Sequence, residues 1–296
     1  MFNFLTELDP ESRADNLCAY REYLLERDGQ CDPVARTLSR REALMLRFEC
    51  GRPLASLDAE LFARQFVKYD AALHSSQEML LLLTLCKLNA AEAYGVNATF
   101  HIAMSRVRAN ADNDTELFVL LEEHYHTRIL MSAAREYGIE VAGVFLPPLS
   151  LRGLISGLTS VPLDVSRPLV LASELVGTLI FAQAFVRAGE VLADKPELRD
   201  RIQERIVEIL IDEIGHVSFN QMQLGSWGMF NARRLFPVVA LGMRNQAGEW
   251  RELGLNTSTD LHWLARVPEE VSRRAFFVRG GARSRGKPAA RLSAAE

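Results

Sequence analysis

Apolar residues recur at steps of three and four along this chain, the repeat that lines one face of an α-helix. One stripe runs Ile202, Ile206, Ile209, Glu213, His216, Asn220, and another runs Val119, Glu123, His126, Leu130, Ala133, Tyr137. Two more run Leu81, Leu85, Leu88, Glu92 and Val170, Glu174, Thr178, Phe181, Phe185. The pattern predicts an all-α chain whose helices each turn one stripe to a common core.

Turn and cap residues set the expected helix ends. Two helices, roughly Pro10 to Asp28 and Pro33 to Cys50, are separated by Asp28-Gly29 and Cys31-Asp32-Pro33 and pack outside the core. A long helix is expected from about Asp58 to Tyr94, ending at Gly95 with a break near Ser75-Ser76, followed by a short connecting helix over Ala98 to Arg108. The loop from Asn110 to Asp114 offers N-caps to the next helix, which ends at Gly138. From Gly138 to Arg167 and just beyond, Pro147, Pro148, Gly153, Gly157, Pro162 and Pro168 mark a crossover. A third core helix reaches Ala193, Asp194-Lys195-Pro196 reverses the chain, and a fourth runs from about Glu197 to Trp227. Shorter helices follow over Arg233 to Asn245 and Pro268 to Phe277. Residues 280–296, rich in Gly, Ala, Arg and Ser, read as a disordered tail. The expectation is a single helical domain over 1–279 with its core at about 70–230.

Each stripe is interrupted by groups that a core face normally excludes. An unpaired buried carboxylate is costly enough to be neutralised or kept out, whereas a divalent cation offsets the cost directly. Glu123/His126 and Glu213/His216 are Glu-x-x-His pairs, and residues three apart on a helix can converge on one ion. Glu92 and Glu174 each precede such a pair by one helix, with Glu78 as a rival to Glu92. Together they predict a dinuclear metal site.

The order Glu then Glu-x-x-His, twice, over roughly residues 70 to 230, resembles the ferritin-like di-iron carboxylate proteins. The resemblance implies a four-helix bundle with one long crossover and a ligand set of Glu92, Glu123, His126, Glu174, Glu213 and His216. It implies two iron ions, with manganese or a mixed pair as alternatives. It also implies that Glu122 supports His216 and Asp212 supports His126 from outside the ligand set, with Glu208 one turn before Asp212 on the same face. Thr178 matches the threonine that many di-iron oxygenases place beside their oxygen pocket, although a threonine inside a helix also commonly bonds its own backbone. The runs Glu122 to Thr127 and Asp212 to Val217 look like those of the arylamine N-oxygenases of natural-product biosynthesis. Ile209 stands where that group has a further histidine, and Leu130 stands where radical-generating subunits have a tyrosine. The implied activity is oxidation of a small molecule by dioxygen, N-oxygenation included. The alternatives are a C-hydroxylase, desaturase or carbon–carbon cleaving oxidase, a ferroxidase, and a metal-free helical binding protein.

Composition narrows the partners. A formal charge of -4 and a pI near 6.0 give no footprint for nucleic acid. With no uninterrupted 18-residue apolar run and no basic-then-apolar N-terminal segment, the sequence reads as a cytoplasmic protein without a membrane partner. Cys18, Cys31, Cys50 and Cys86 lack Cys-x-x-Cys spacing and read as buried or half-buried thiols, so electrons must come from an external donor. Oligomeric state is open, a homodimer being one option.

Overall fold

Asp9 accepts a hydrogen bond from the Ser12 N–H at 2.9 Å and, with Pro10 in the first turn, starts α1 (Pro10–Asp28). The computed structural model describes residues 4–91, 93–97, 114–141, 145–243 and 248–278. Within them the chain is helical apart from one short antiparallel ribbon, β1 (Cys31–Asp32) with β2 (Thr37–Leu38), in which Cys31 faces Leu38. The ribbon replaces the expected first turns of the second helix. The Asp32 carboxylate accepts from the N–H groups of Val34 and Ala35, each at 2.9 Å, and Arg36 takes φ 55°, so the chain turns back before α2 (Ser39–Glu49) begins.

The long helix expected over 58–94 is divided at the expected break near Ser75-Ser76, which opens earlier than expected, after Val67. α3 (Ala59–Val67), capped by Asp58, and α4 (Gln77–Leu88), capped by Ser76, are separate elements. The buried Gln65 amide donates to the carbonyls of Asp70 and Leu73 at 3.0 and 3.1 Å and accepts from the Asp70 N–H at 2.7 Å, stabilising the loop between them. Gly95 lies within helical residues 93–97 and does not end a helix. α5 (Asp114–Ser132) tightens into a 3₁₀ turn over Ala133–Tyr137. The crossover is half helical: α6 (Leu149–Thr159) lies inside it, and α7 (Leu163–Val191) starts at the N-cap Pro162 and carries Pro168 within its first turns. α8 (Pro196–Met222) ends before α9 (Ser226–Met243), which takes up residues expected to close the fourth helix. α10 (Gly248–Leu253), a 3₁₀ turn at Leu261–Arg266 and α11 (Glu269–Arg274) complete the described chain. The expected helix over 98–108, the cap loop at 110–113 and the tail at 280–296 lie outside the described residues.

Packing follows the stripes. α4 touches α5 and α7, α5 touches α8, and α8 lies along α7, so these helices close a ring around one core. Ile202, Ile206, Ile209, Leu130 and Leu175 are buried inside it, and each such aliphatic side chain contributes roughly 1.5–3 kcal/mol. α1 and α11 rest on α8, α2 rests on α5, α9 covers α7, and α10 covers α4. Segments Gln77–Asn97 and Val165–Val191 reach the length and apolarity of a membrane span, which reading for uninterrupted runs did not bring out; their apolar windows are 65% and 67% buried inside the protein.

Gly138 ends the 3₁₀ turn at φ 68°, its N–H bonded to the carbonyls of Ala134 and Arg135. A Cβ there would meet only Pro53, at ordinary contact distance. Gly138→Ala is therefore expected to cost only the left-handed backbone penalty, about 1–2 kcal/mol, read as a lower denaturant midpoint at unchanged slope. An unchanged midpoint would contradict it.

Candidate metal centre

Glu123 and His126 share one face of α5, Glu213 and His216 share one face of α8, and the two faces meet inside the ring. Gly215, between the two α8 residues, permits this helix to lie close under α1. A Cβ on it would sit 3.2 Å from the Tyr20 hydroxyl, in a site where Tyr20 is already stacked on Phe219. Asn89 donates to the Glu123 carbonyl at 3.1 Å, which ties the end of α4 to the same turn of α5.

The imidazoles of His126 and His216 face each other with ring centroids 5.6 Å apart. Both direct Nδ1 inward. Glu123 lies between them, its Oε1 2.7 Å from His216 Nδ1 and its Oε2 3.2 Å from His126 Nδ1. Glu213 Oε1 is 3.2 Å from His126 Nδ1, and Glu174 Oε2 is 4.0 Å from His216 Nδ1. Ligand atoms of Glu123, Glu174, Glu213 and His216 all lie within 4.8 Å of one another.

These atoms are close but not hydrogen-bonded. Both carboxylate oxygens of Glu123 and of Glu213, Oε2 of Glu174 and Nδ1 of both histidines are buried without a hydrogen-bond partner among the described residues. Buried polar atoms are normally satisfied, and leaving one unmet costs about 1–3 kcal/mol. Orphaned atoms that converge on one point, all of them oxygen or imidazole nitrogen, form a group that could hold a metal ion.

Electrostatics point the same way. Burial and the charges of Glu123 and Glu213 push the Glu174 carboxyl well above the usual range, and burial and Glu123 likewise raise that of Glu213. Burial alone would lower both histidines, yet Glu123 and the other facing carboxylates hold each well above its ordinary value. Against its own burial, the Glu123 carboxyl is held far below the usual range by His126 and His216. These directions favour protons on the two histidines, Glu174 and Glu213 when no cation is bound.

Behind the ligand atoms, His126 Nε2 lies 3.1 Å from Asp212 Oδ2, and His216 Nε2 lies 2.9 Å from Glu122 Oε2. Each histidine is thus held by the acid that precedes the ligand glutamate on the opposite helix. Arg41 Nη2 donates to Asp212 Oδ1 at 2.6 Å and to Glu122 Oε1 at 2.9 Å, while its Nε donates to Asp28 Oδ1 at 2.6 Å. Arg27 adds a 2.6 Å bond from Nε to Asp212 Oδ1. Burial, Arg27 and Arg41 together leave the Asp212 carboxyl well below its usual range, the two arginines outweighing desolvation. Burial and the neighbouring charge of Glu122 push Asp28 up to about 8 in spite of Arg41.

Of the six ligand candidates, Glu123, His126, Glu174, Glu213 and His216 come together, and Glu92 lies outside the described residues. Its rival Glu78 is engaged elsewhere, in an ion pair with Lys195. Thr178 is fully buried and donates its hydroxyl to the Glu174 carbonyl at 2.7 Å. The Glu208 carboxylate bonds Arg27 and Arg274 and is not directed at His126. His124 is exposed. Cys86 is buried, but Cys18 and Cys50 are exposed, contrary to the expectation of buried or half-buried thiols. Sequence reasoning missed Arg41, Arg27 and Asp28. A signal existed for one of them, because Arg41, Met45 and Phe48 are the buried residues of α2 at steps of four and three, an arginine interrupting an apolar stripe as the glutamates do.

A metal ion held by this group would have to displace protons from these raised positions. Apparent affinity for Mn(II) is expected to rise with pH between 6 and 8, by roughly tenfold per pH unit for each proton released. Calorimetric titration in two buffers of different protonation enthalpy reads the release. Equal heats in both buffers would rule it out.

Comparison with known proteins finds no family model, no curated protein and no solved structure that matches the chain, so the centre is read from its own geometry and donor chemistry.

Proposed function

We propose that this chain is a ferritin-like di-metal carboxylate protein that uses two iron ions, or manganese in place of one or both, to oxidise a small molecule with dioxygen. The observation that carries the reading is the placement of Glu123 between two inward-facing imidazoles, with each of its oxygens near one Nδ1. A carboxylate so placed could hold metal together with both imidazoles, the donor set that this architecture assembles from its Glu-x-x-His helices. The ring of α4, α5, α7 and α8, with a long connection between α5 and α7, supports the bundle assignment.

Bound iron would supply the one-electron steps by which dioxygen is reduced, and the mixed carboxylate and imidazole donors suit it. The chain's own residues supply the rest. Asp212 and Glu122 hold the outer Nε2 atoms, which leaves each Nδ1 as the donor facing inward. Glu174 and Glu213, with raised affinity for protons, are the carboxyls able to carry a proton in the metal-free site and yield it on loading. Ile209, one turn before Glu213, and Phe181, two turns after Glu174, are buried on the same helix faces as those carboxyls and would keep the surroundings of the centre apolar. With cysteines spread between surface and core and no paired thiols among them, an external donor supplies the electrons.

The metal-free binding protein is the less favoured reading. It would need the core carboxylates paired with arginine, and here Arg27 and Arg41 contact Asp28, Glu122, Asp212 and Glu208, while among the described residues the cationic partners of Glu123, Glu174 and Glu213 are histidines. Among oxidative reactions, the fully buried Ile209 removes the nitrogen donor that the arylamine N-oxygenases have there, which moves the weight from N-oxygenation to the wider class.

Iron-loaded protein is expected to hold about two ions per chain and to consume dioxygen when given reductant, measured by metal analysis and an oxygen electrode. Glu213→Gln should lose most of that capacity, yet the metal-free variant should melt at or above the wild-type temperature, because burial and Glu123 already disfavour a charge at this position and the amide is neutral at every pH. A ferroxidase would build iron cores beyond two ions per chain. Zero bound metal after reconstitution, or full capacity in Glu213→Gln, would overturn the assignment.

A further inference from the structure

Arg41 is an odd residue for its position. It belongs to α2, outside the ring of core helices, yet its side chain is 3% exposed and ends among Asp28, Glu122 and Asp212. The carboxylates of Asp212 and Glu122 each divide their oxygens the same way. Asp212 gives Oδ1 to Arg41 and Oδ2 to His126, and Glu122 gives Oε1 to Arg41 and Oε2 to His216. A single nitrogen, Nη2, therefore closes a path from one imidazole to the other: His126, Asp212, Arg41, Glu122, His216. The Arg41 Nε bond to Asp28 fixes the plane of the guanidinium from behind.

Charge balance alone does not explain the arrangement. Arg27 already supplies a cation to Asp212 at 2.6 Å, and a single positive charge anywhere in the cluster would offset part of the excess acid. What Arg41 adds is direction. The guanidinium is planar with donors at fixed angles, so carboxylates bonded to it cannot rotate freely, whereas an ammonium group on a flexible stem would hold them only by proximity. A carboxylate that rotates loses its oxygen from Nε2, and the imidazole is then free to turn its Nδ1 away from the centre.

We propose that Arg41 is a positioning residue for both halves of the metal centre, clamping Glu122 and Asp212 so that each keeps one oxygen on the outer nitrogen of a ligand histidine. The proposal rests on the metal-binding reading and adds that an accessory helix governs both ions at once. It separates from a purely structural role in two ways. Loss of the clamp should weaken both sites together, and the loss should depend on the carboxylates through which Arg41 acts.

The test is Mn(II) binding to the full chain by chelator competition, with wild type first shown to take up two ions and each metal-free variant checked by circular dichroism. Arg41→Lys keeps the charge and is expected to fold, with affinity at both sites lowered roughly 10- to 100-fold. Combined with Asp212→Asn, the total loss should fall short of the product of the single losses, as expected when two residues act through one another. Should Arg41→Lys fail to fold, Arg41→Gln with Asp28→Asn removes the guanidinium together with the carboxyl that its Nε bonds and serves in its place, with the same expected loss at both sites. Wild-type affinity in the folded variant, loss at one site alone, or independent multiplication of the losses would overturn the proposal, and so would loss of fold in both variants, since Arg41 would then hold up the fold and not the centre. A wild-type protein that binds no metal instead sinks the reading of the centre itself.

Discussion

The structure depends on how it tolerates buried acid. Glu122, Glu123, Asp212 and Glu213 lie in the core of a helical ring, where an isolated carboxylate would cost several kcal/mol or take up a proton. Two solutions are used side by side. Glu122 and Asp212 meet arginine and are fully hydrogen-bonded, whereas Glu123 and Glu213 meet only imidazole nitrogens and retain unsatisfied oxygens. The division between satisfied and unsatisfied acids follows adjacent residues in the sequence, because neighbours on a helix point about 100° apart. One acid of each pair therefore faces the arginines of α1 and α2 while the other faces the centre.

Much of this was legible in the sequence, and the physical reason is periodicity. A glutamate at a core position of an apolar stripe is anomalous whatever its neighbours, so Glu123, Glu174 and Glu213 stood out without any knowledge of the fold. The helix ends were read well where one residue decides them, as with Asp9 and Pro10 in α1. They were read poorly where a distant side chain decides. The restart at Ser76 is legible, but the early end at Val67 is not: Gln65 holds open the loop between α3 and α4 through bonds to Asp70 and Leu73, and no local pattern announces that a glutamine will do so. The ribbon before α2 is similar, since Pro33 allows a helix start but Asp32 captures the following N–H groups first.

The accessory helices were the least legible part. Their apolar content is modest, and the sequence alone suggested only that they pack outside the core. Their contribution is electrostatic. Arg27 and Arg41 neutralise acids that α5 and α8 cannot neutralise for themselves, and in exchange the acids anchor α1 and α2 to the bundle. Tyr125, three residues after Glu122 on the same side of α5, strengthens the same contact, accepting from the Leu38 N–H at 3.1 Å and donating to Glu42 at 2.5 Å.

The Arg41 to Asp212 bond spans 171 positions of sequence. Contacts so far apart are the last to form as a chain is made and collapses, because the loop between them must close before they contribute any stability. The helices of the ring can assemble from their own apolar stripes, but the orientation of the histidines waits for the first helices to dock onto the eighth. The bonds that direct both imidazoles inward are therefore complete only once the accessory helices have joined the ring. A chain whose first two helices are not yet docked would hold the same carboxylates without the arginine bonds that aim them at the histidines.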